Sequence, residues 1–369
     1  MTTNKDRILF YLLKPFSWLY GGVTLLRNLF FDWGWLPSRK YDVPVVSVGN
    51  ITVGGTGKTP HVEYLIENLS SYYNIGVLSR GYKRKTKGFV LASSHSTPET
   101  IGDEPYQVYH KFKKRVRVAV CENRRKGIEE LLATDPDINL ILLDDAFQHR
   151  YVTPKVNILL MDFNRPVYQD NLLPLGRLRE SKRSVARADF VVVTKVPENV
   201  SPLQFRMVSK YLDLLAYQQL YFSQINYDYP VPVFPEESKY NVVLDHFTRQ
   251  DAVILLTGIA NPRSFVRYFK RYQCRVKVCH YPDHHFYSRR DLDELQKKFD
   301  GLNAARKIIV TTEKDAVRLA NNPYFPQHLK PFIFYIPIEI KMVQGIDESD
   351  FIGALRQAID KTDLGEISR

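Results

Sequence analysis

The chain has 369 residues, 44% of them hydrophobic, with 18 glycines and 21 prolines, the composition of a globular protein long enough for a large core and two domains. A formal charge of +12 implies an anionic partner: nucleic acid, a phosphorylated metabolite or a membrane surface. Cys121, Cys274 and Cys279 make no even framework and no C-x-x-C pair, which argues against a disulfide-built domain and suits a reducing compartment.

From Ile8 to Leu36 the chain reads ILFYLLKPFSWLYGGVTLLRNLFFDWGWL and holds all three tryptophans, Trp18, Trp33 and Trp35. Lys14 and Arg27 interrupt it, so its longest uncharged run is about a dozen residues. A spanning helix needs roughly 20. No small-x-small cleavage site follows an apolar core, so a signal peptide is not expected. Two readings stay open. One is a core helix packed on the domain. The other is an interfacial helix, with aromatics in the headgroup layer and Lys14 and Arg27 near anionic lipid.

VPVVSV (43–48) reads as a buried strand, and VGNITVGGTGKTP (48–60) follows from it. The pattern G-x-x-x-x-G-K-[ST] calls for glycine where this chain has Thr52. Val62, Leu65, Ile66 and Leu69 then recur at the spacing of a helix face. A glycine loop between strand and helix is the setting of a phosphate-binding P-loop. Gly54, Gly55, Thr56 and Gly57 would aim N–H groups at a phosphate, Lys58 would reach the terminal phosphates and Thr59 would hold Mg²⁺.

Further strands are predicted at IGVLS (75–79), VRVAV (116–120), LILLDD (140–145), VNILLMD (156–162) and DFVVVTK (189–195), alternating with helical patterns. That alternation predicts an α/β fold, a parallel sheet with helices on both faces. Arg80-Gly81-Tyr82 ends the second of these strands, at the carboxyl edge where open α/β sheets bind ligands. The cations that follow, Lys83 to Lys87, are either part of that site or only a solvated face. Gly102-Asp103-Glu104-Pro105 opens a helix, where an acid is a cap or a base for a hydroxyl. LILLDDAFQH (140–149) has the form of a Walker B element: an apolar strand delivering Asp144 and Asp145 beside Mg²⁺, with Gln148 and His149 close behind. After Pro197 the pattern blurs through LYFSQINYDYP. A second α/β set follows, with strands at AVILLTG (252–258), RVKVCHYP (275–282), KIIVTT (307–312) and FIFYIPIEI (332–340). Cys279-His280 and Asp283-His284-His285 form the densest histidine cluster. Its spacing fits no common zinc template, and Asp283 with His284 reads better as a proton-handling pair.

Taken together, VGNITVGGTGKTP, LSRGYKR (78–84), GDEP (102–105), DDAFQHR (144–150), LLPLGRLRE (172–180), PDHHF (282–286) and TTEKDAVRL (311–319) resemble the tetraacyldisaccharide 4'-kinase family, the lipid A 4'-kinases. That family keeps the GGTGKT half of the loop without the first glycine, which accounts for Thr52. The resemblance implies transfer of the ATP γ-phosphate to the 4'-hydroxyl of an acylated disaccharide 1-phosphate lipid, with Mg²⁺. It implies a peripheral enzyme at the anionic cytoplasmic face of a Gram-negative inner membrane. The expected division is an N-terminal helix (1–36), a P-loop core (37–220) and a smaller α/β domain (221–369), the two closing over ATP. By the resemblance Lys58 and Thr59 bind phosphate and Mg²⁺, and Asp144 and Asp145 are the Walker B acids. His149 is the histidine that follows them, Asp103 is the base and His284 its partner. Arg80, Arg179 and Glu180 match motif positions without individual roles.

Two other classes compete with this one. A P-loop switch or metallochaperone-type NTPase would hydrolyse nucleotide with no acceptor. A nucleic-acid-dependent NTPase would suit the charge, but nothing in the chain resembles a nucleic-acid module, and no nucleic-acid partner is expected.

Overall fold

The computed structural model describes residues 4–238, 241–259, 261–283, 285–343 and 350–361. Helix α1 (Asn4–Asp32) is followed by strand β1 (Val45–Gly49), the glycine loop and α2 (Lys58–Leu69). Then come β2 (Ile75–Ser79), β3 (Val90–Leu91), α3 (Pro98–Ile101), α4 (Asp103–Phe112), β4 (Val116–Val120), α5 (Arg124–Thr134) and β5 (Leu140–Asp144). After these lie β6 (Val156–Asp162), β7 (Phe190–Thr194), α6 (Pro202–Leu212) and β8 (Gln219–Tyr227). The predicted strands at 75–79, 116–120 and 156–162 match to the residue.

The chain divides into two compact units, Met1–Ile225 with Ile340–Arg369, and Asn226–Glu339. The second contains β9 (Val231–Pro232), β10 (Ala252–Thr257), α7 (Arg263–Phe269), β11 (Arg275–His280), α8 (Arg289–Asp300), β12 (Lys307–Thr312), α9 (Glu313–Ala320) and β13 (Ile333–Ile336). The split between the units lies after Ile225, and the chain from Ile340 onward belongs to the first unit. The run FIFYIPIEI, read from sequence as one strand, is two: β13 and β14 (Ile338–Val343) lie in different sheets. Pro337 stands between them, and a residue with no N–H cannot carry a ladder through. The last helix, α10 (Phe351–Asp360), buries Phe351, Leu355 and Ile359 in the core formed by α2 and the sheet.

The first unit is built on a nine-stranded sheet of order β14-β8-β7-β6-β1-β5-β2-β4-β3. β1 pairs in parallel with β5 on one side and β6 on the other. β1, β2, β5 and β7 are buried at every position, as expected of strands covered on both faces. α2 presents Val62, Leu65, Ile66 and Leu69 to that core, the face its spacing predicts. The strand order reverses at β1: the chain runs outward through β2 and β4, then returns to place β5 beside β1 and β6 on its far side. Such a switch point opens a crevice at the carboxyl ends of the strands. The register sets Val48 opposite Asp144, so the glycine loop and the acid pair leave the sheet side by side.

The second unit is a five-stranded sheet of order β11-β10-β12-β13-β9, parallel except for β9. Asp251, just before β10, ties it together. Its carboxylate accepts from Arg306 Nε at 3.0 Å, Arg306 Nη2 at 2.7 Å and the Thr248 amide at 2.7 Å. These bonds, the Arg306 guanidinium foremost, hold the Asp251 carboxyl well below the usual carboxylate range. A depressed carboxylate supplies stability that is present above about pH 4 and lost as the pH falls through its lowered pKa. Asp251→Asn should cost roughly 2 kcal/mol. Urea midpoints at pH 7 test this, and the loss of stability below pH 4 should be shallower in the variant than in the parent. Equal midpoints would show that the Arg306 pair contributes nothing.

Candidate active site

Lys58 is the first residue of α2, and its ammonium lies 3.6 Å from Asp145 Oδ1. Arg179 Nη1 approaches the same carboxylate at 3.3 and 3.5 Å, and Gln148 Oε1 at 3.5 Å. Burial alone would raise the Asp145 pKa; Lys58, then Arg179, outweigh it and hold the carboxyl below its ordinary value. Asp145 has φ +50°, a conformation that non-glycine residues rarely adopt and one that collects at functional sites. Asp144 ends β5 and is buried, with Oδ1 lacking any hydrogen-bond partner. Burial first, then the charges of Glu104 and Asp145, push its pKa up to about 7.

A buried carboxylate oxygen with no donor calls for a cation. The set available here, Asp144, Asp145 and the buried Thr59 hydroxyl, is all hard oxygen, which suits Mg²⁺. Among the described residues no group of three His, Cys, Asp or Glu could hold a metal by itself. Mg²⁺ sites usually combine one or two carboxylates with substrate phosphates.

The loop before Lys58 is pinned to Gln148 and to the 177–179 segment. Asn50 donates to Thr56 Oγ1 at 2.7 Å, and Gln148 donates to the Asn50 carbonyl at 2.7 Å. Residues 51–53 run extended against 177–179, with Arg179 N to Ile51 O and Val53 N to Arg177 O both at 2.7 Å. The unusual Thr52 sits in that pairing, bridged to Leu178.

Beside the loop lies a cleft of about 500 Å³. Arg80, Tyr82, Glu104, Glu122, Arg124, Asp145, Gln148, His149, Arg179 and Glu180 line it, together with Tyr20, Thr24, Arg27 and Asn28 of α1. The turns that carry Arg80 and Glu104 touch through glycine. A Cβ on Gly102 would lie 3.2 Å from Gly81 C, and one on Gly81 would lie 2.9 Å from Ile101 O. Asp103 is the first residue of α4, next to Glu104. Arg124 is buried, with Nη1 on the Cys121 carbonyl at 2.9 Å and Nη2 on the Asp144 carbonyl at 3.3 Å. Its own amide donates to His149 Nε2 at 3.3 Å. Burial, then the surrounding arginines led by Arg124, lower the His149 pKa to about 4, so the ring is neutral at neutral pH. His284 lies outside the described residues.

Arg124 and the α1 residues Tyr20, Thr24 and Asn28 were not singled out in the sequence, and neither Glu104 nor Arg27 was given a place in the site. Glu104 stood beside the chosen Asp103, and Arg124 carried no motif.

The side of α1 that meets the core is its polar one. Ser17 Oγ donates to Leu172 O, Tyr20 Oη to Arg179 O and Asn28 Nδ2 to Glu180 Oε2, each at 2.9 Å. Arg27 Nη2 donates to Gln148 O at 3.0 Å. Arg27 therefore faces the cleft, which corrects its place near anionic lipid in the interfacial reading: it shares a helix face with Tyr20, Thr24 and Phe31. The apolar side is bare, with Tyr11 70% exposed and Trp18 and Leu19 each 69%. No helix of the described residues is long and apolar enough to cross a membrane.

The model of the family described as tetraacyldisaccharide-1-P 4'-kinase matches residues 9–360. A tetraacyldisaccharide 4'-kinase from Bacteroides thetaiotaomicron is 46% identical, over 96% of this chain and 95% of its own length. One from Flavobacterium johnsoniae is 44% identical, over 89% and 91%. A crystal structure of apo-form LpxK from Aquifex aeolicus in complex with ATP superposes with a TM-score of 0.70 at 29% identity, covering 95% of this chain and 98% of that one.

Glu180 joins α1 to the cleft floor: Oε2 accepts from Asn28 and Ser184 at 2.9 Å and from Arg187 at 2.8 Å. Glu180→Ala strands a largely buried Arg187 and should cost about 3 kcal/mol. Denaturant unfolding measures it, and a loss under 1 kcal/mol would show that the Glu180 cluster does not hold the helix.

Proposed function

The chain belongs to the tetraacyldisaccharide-1-P 4'-kinase family, and from that premise we propose which of its residues carry the reaction. The reaction is transfer of the ATP γ-phosphate to the 4'-hydroxyl of a tetraacyldisaccharide 1-phosphate in lipid A biosynthesis. The observation that carries the assignment of roles is the 3.6 Å approach of Lys58 to Asp145, loop lysine to strand-end acid.

Phosphoryl transfer asks little covalent chemistry of a protein and depends on positioning and charge. The loop at 54–59 and the N-terminus of α2 cradle the phosphates through backbone N–H groups. Lys58 neutralises the terminal phosphates. Thr59, Asp144 and Asp145 are the residues that would hold Mg²⁺, which when bound would supply positive charge to offset that of the transferring phosphoryl group. Arg27, Arg80 and Arg179 give the cleft the cations that a phosphorylated sugar requires. Asp103, at the start of α4, accepts the proton of the attacking 4'-hydroxyl. The neutral His149 and the Arg124 behind it shape the cleft floor.

The acyl chains of such a substrate cannot leave a bilayer cheaply, since each buried CH₂ is worth about 0.8 kcal/mol. The enzyme must come to the surface. α1 lays its bare apolar face in the interface, with Lys14 near the headgroups, while its polar face lines the cleft. On this reading the protein works as a peripheral enzyme at the cytoplasmic face of the inner membrane, and the bare apolar face of α1 supports it.

Lys58→Ala and Thr59→Ala should each lower kcat by at least about 10³ with the melting temperature unchanged. Near-parental turnover in either variant would remove the phosphate-loop assignment. A triple change on the bare face, Trp18→Ser, Leu19→Ser and Val23→Ser, should abolish co-sedimentation with anionic phospholipid vesicles and leave the KM for ATP unaltered. Undiminished sedimentation would mean that another surface binds the membrane.

A further inference from the structure

We propose that Lys195, Thr194 and His61 are positioning residues that set the phosphate loop for ATP by tying down three successive carbonyl groups. The Gly55 carbonyl accepts from Lys195 Nζ, which also pairs with Asp162 Oδ2 at 2.8 Å. The Thr56 carbonyl accepts from Thr194 Oγ1 at 2.8 Å. The Gly57 carbonyl accepts from His61 Nδ1 at 2.7 Å, and the other ring nitrogen meets Ser223 Oγ at 2.9 Å.

The consequence follows from peptide geometry. In a planar trans peptide the C=O and N–H point in opposite directions. Holding the Thr56 carbonyl turns the Gly57 N–H the other way, and holding the Gly57 carbonyl does the same to the Lys58 N–H. These are donors a phosphate loop presents to its anion. A loop with three glycines has many conformations open to it, and fixing its carbonyls removes most of them before the ligand arrives.

Two of the anchors, Thr194 and Lys195, come from one side, and the third, His61 on α2, is braced from that side by Ser223. Thr194 ends β7, Lys195 follows it, Asp162 ends β6 and Ser223 lies on β8. The strand order puts these on one side of β1, and β5 with its acids on the other. Backbone strain marks the same place: Lys195 has φ +59°, which a lysine keeps only where its surroundings hold it. Thr194, at the end of the apolar strand β7, and Ser223, in the middle of β8, are fully buried, and a buried hydroxyl is retained only with a partner.

The inference rests on the reading of 54–59 as the phosphate loop, and the test separates the two. KM for ATP, KM for the lipid acceptor and kcat are measured for Thr194→Val, Thr194→Ser, Lys195→Met and Lys58→Ala in the full chain. Thr194→Val and Lys195→Met should each raise the KM for ATP about tenfold, the effect of one lost hydrogen bond. They should leave kcat at saturating ATP within about threefold, and the KM for lipid unchanged, because only phosphate binding is loosened. Thr194→Ser, which keeps the hydroxyl, should behave as the parent. Thr194 is buried, so Lys195→Met, at a partly exposed position, carries the test if Thr194→Val does not fold. An unchanged KM for ATP, or lipid KM and kcat that move as far, with Lys58→Ala inactive, overturns this inference alone. An active Lys58→Ala overturns the phosphate-loop reading and the inference with it.

Discussion

Val48 lies opposite Asp144 across a parallel pair of strands, and the rest of the site hangs on that register. Every residue of β1 and β5 is buried between two covered faces, so a slip by one residue would exchange the side chains packed on each face and disrupt both. The register therefore costs too much to change, and it delivers the loop lysine and the strand-end acid to one place. Arg179 then closes on Asp145 from a third segment, and the same residue's backbone binds Ile51 at the mouth of the loop. The glycine loop, the acid pair and the 171–180 segment are thus one unit, and α1 is fastened to it through Glu180 and the Arg179 carbonyl.

That fastening sets a constraint on the first helix. An ordinary surface helix turns its apolar stripe to the core and its polar side to water. α1 does the reverse, binding the core through Ser17, Tyr20, Arg27 and Asn28 while Trp18, Leu19 and Val23 stand in the open. Exposed apolar area of this extent marks an interaction surface. The inner side of the helix also lines the cleft, so under the proposed membrane attachment the element at the lipid surface would also form a wall of the cleft. In that proposal a lipid-linked sugar would be taken up with its chains outside the protein, and substrate access and membrane contact would share one element.

Much of the fold was legible because buried parallel strands leave continuous apolar runs. IGVLS, VRVAV and VNILLMD announce themselves, and the helix face at Val62, Leu65, Ile66 and Leu69 does the same. The P-loop half-motif and Asp144-Asp145 could be read for the same local reason: each is a short run beside a strand end. The break at Pro337 was missed because FIFYIPIEI has one unbroken apolar character, and only the change of sheet gives its proline meaning. The sidedness of α1 was hidden because its apolar residues outnumber the few polar ones that bind the core. Glu104 and Arg124 act through burial and charge on Asp144, and Lys195 through a carbonyl 140 residues away in sequence. None of these couplings leaves a pattern in neighbouring residues, since each exists only once the strands are ordered.

The central claim, that the loop and acid pair serve transfer to a lipid hydroxyl and not hydrolysis, is tested most directly by following the phosphate. The full chain is incubated with γ-labelled ATP, Mg²⁺ and tetraacyldisaccharide 1-phosphate in anionic vesicles, and the lipid and aqueous phases are separated. The account predicts that label enters the lipid stoichiometrically with ADP release, at the 4'-position, with little ATP consumed when the lipid is omitted. Label recovered as inorganic phosphate at the same rate with and without lipid would contradict it.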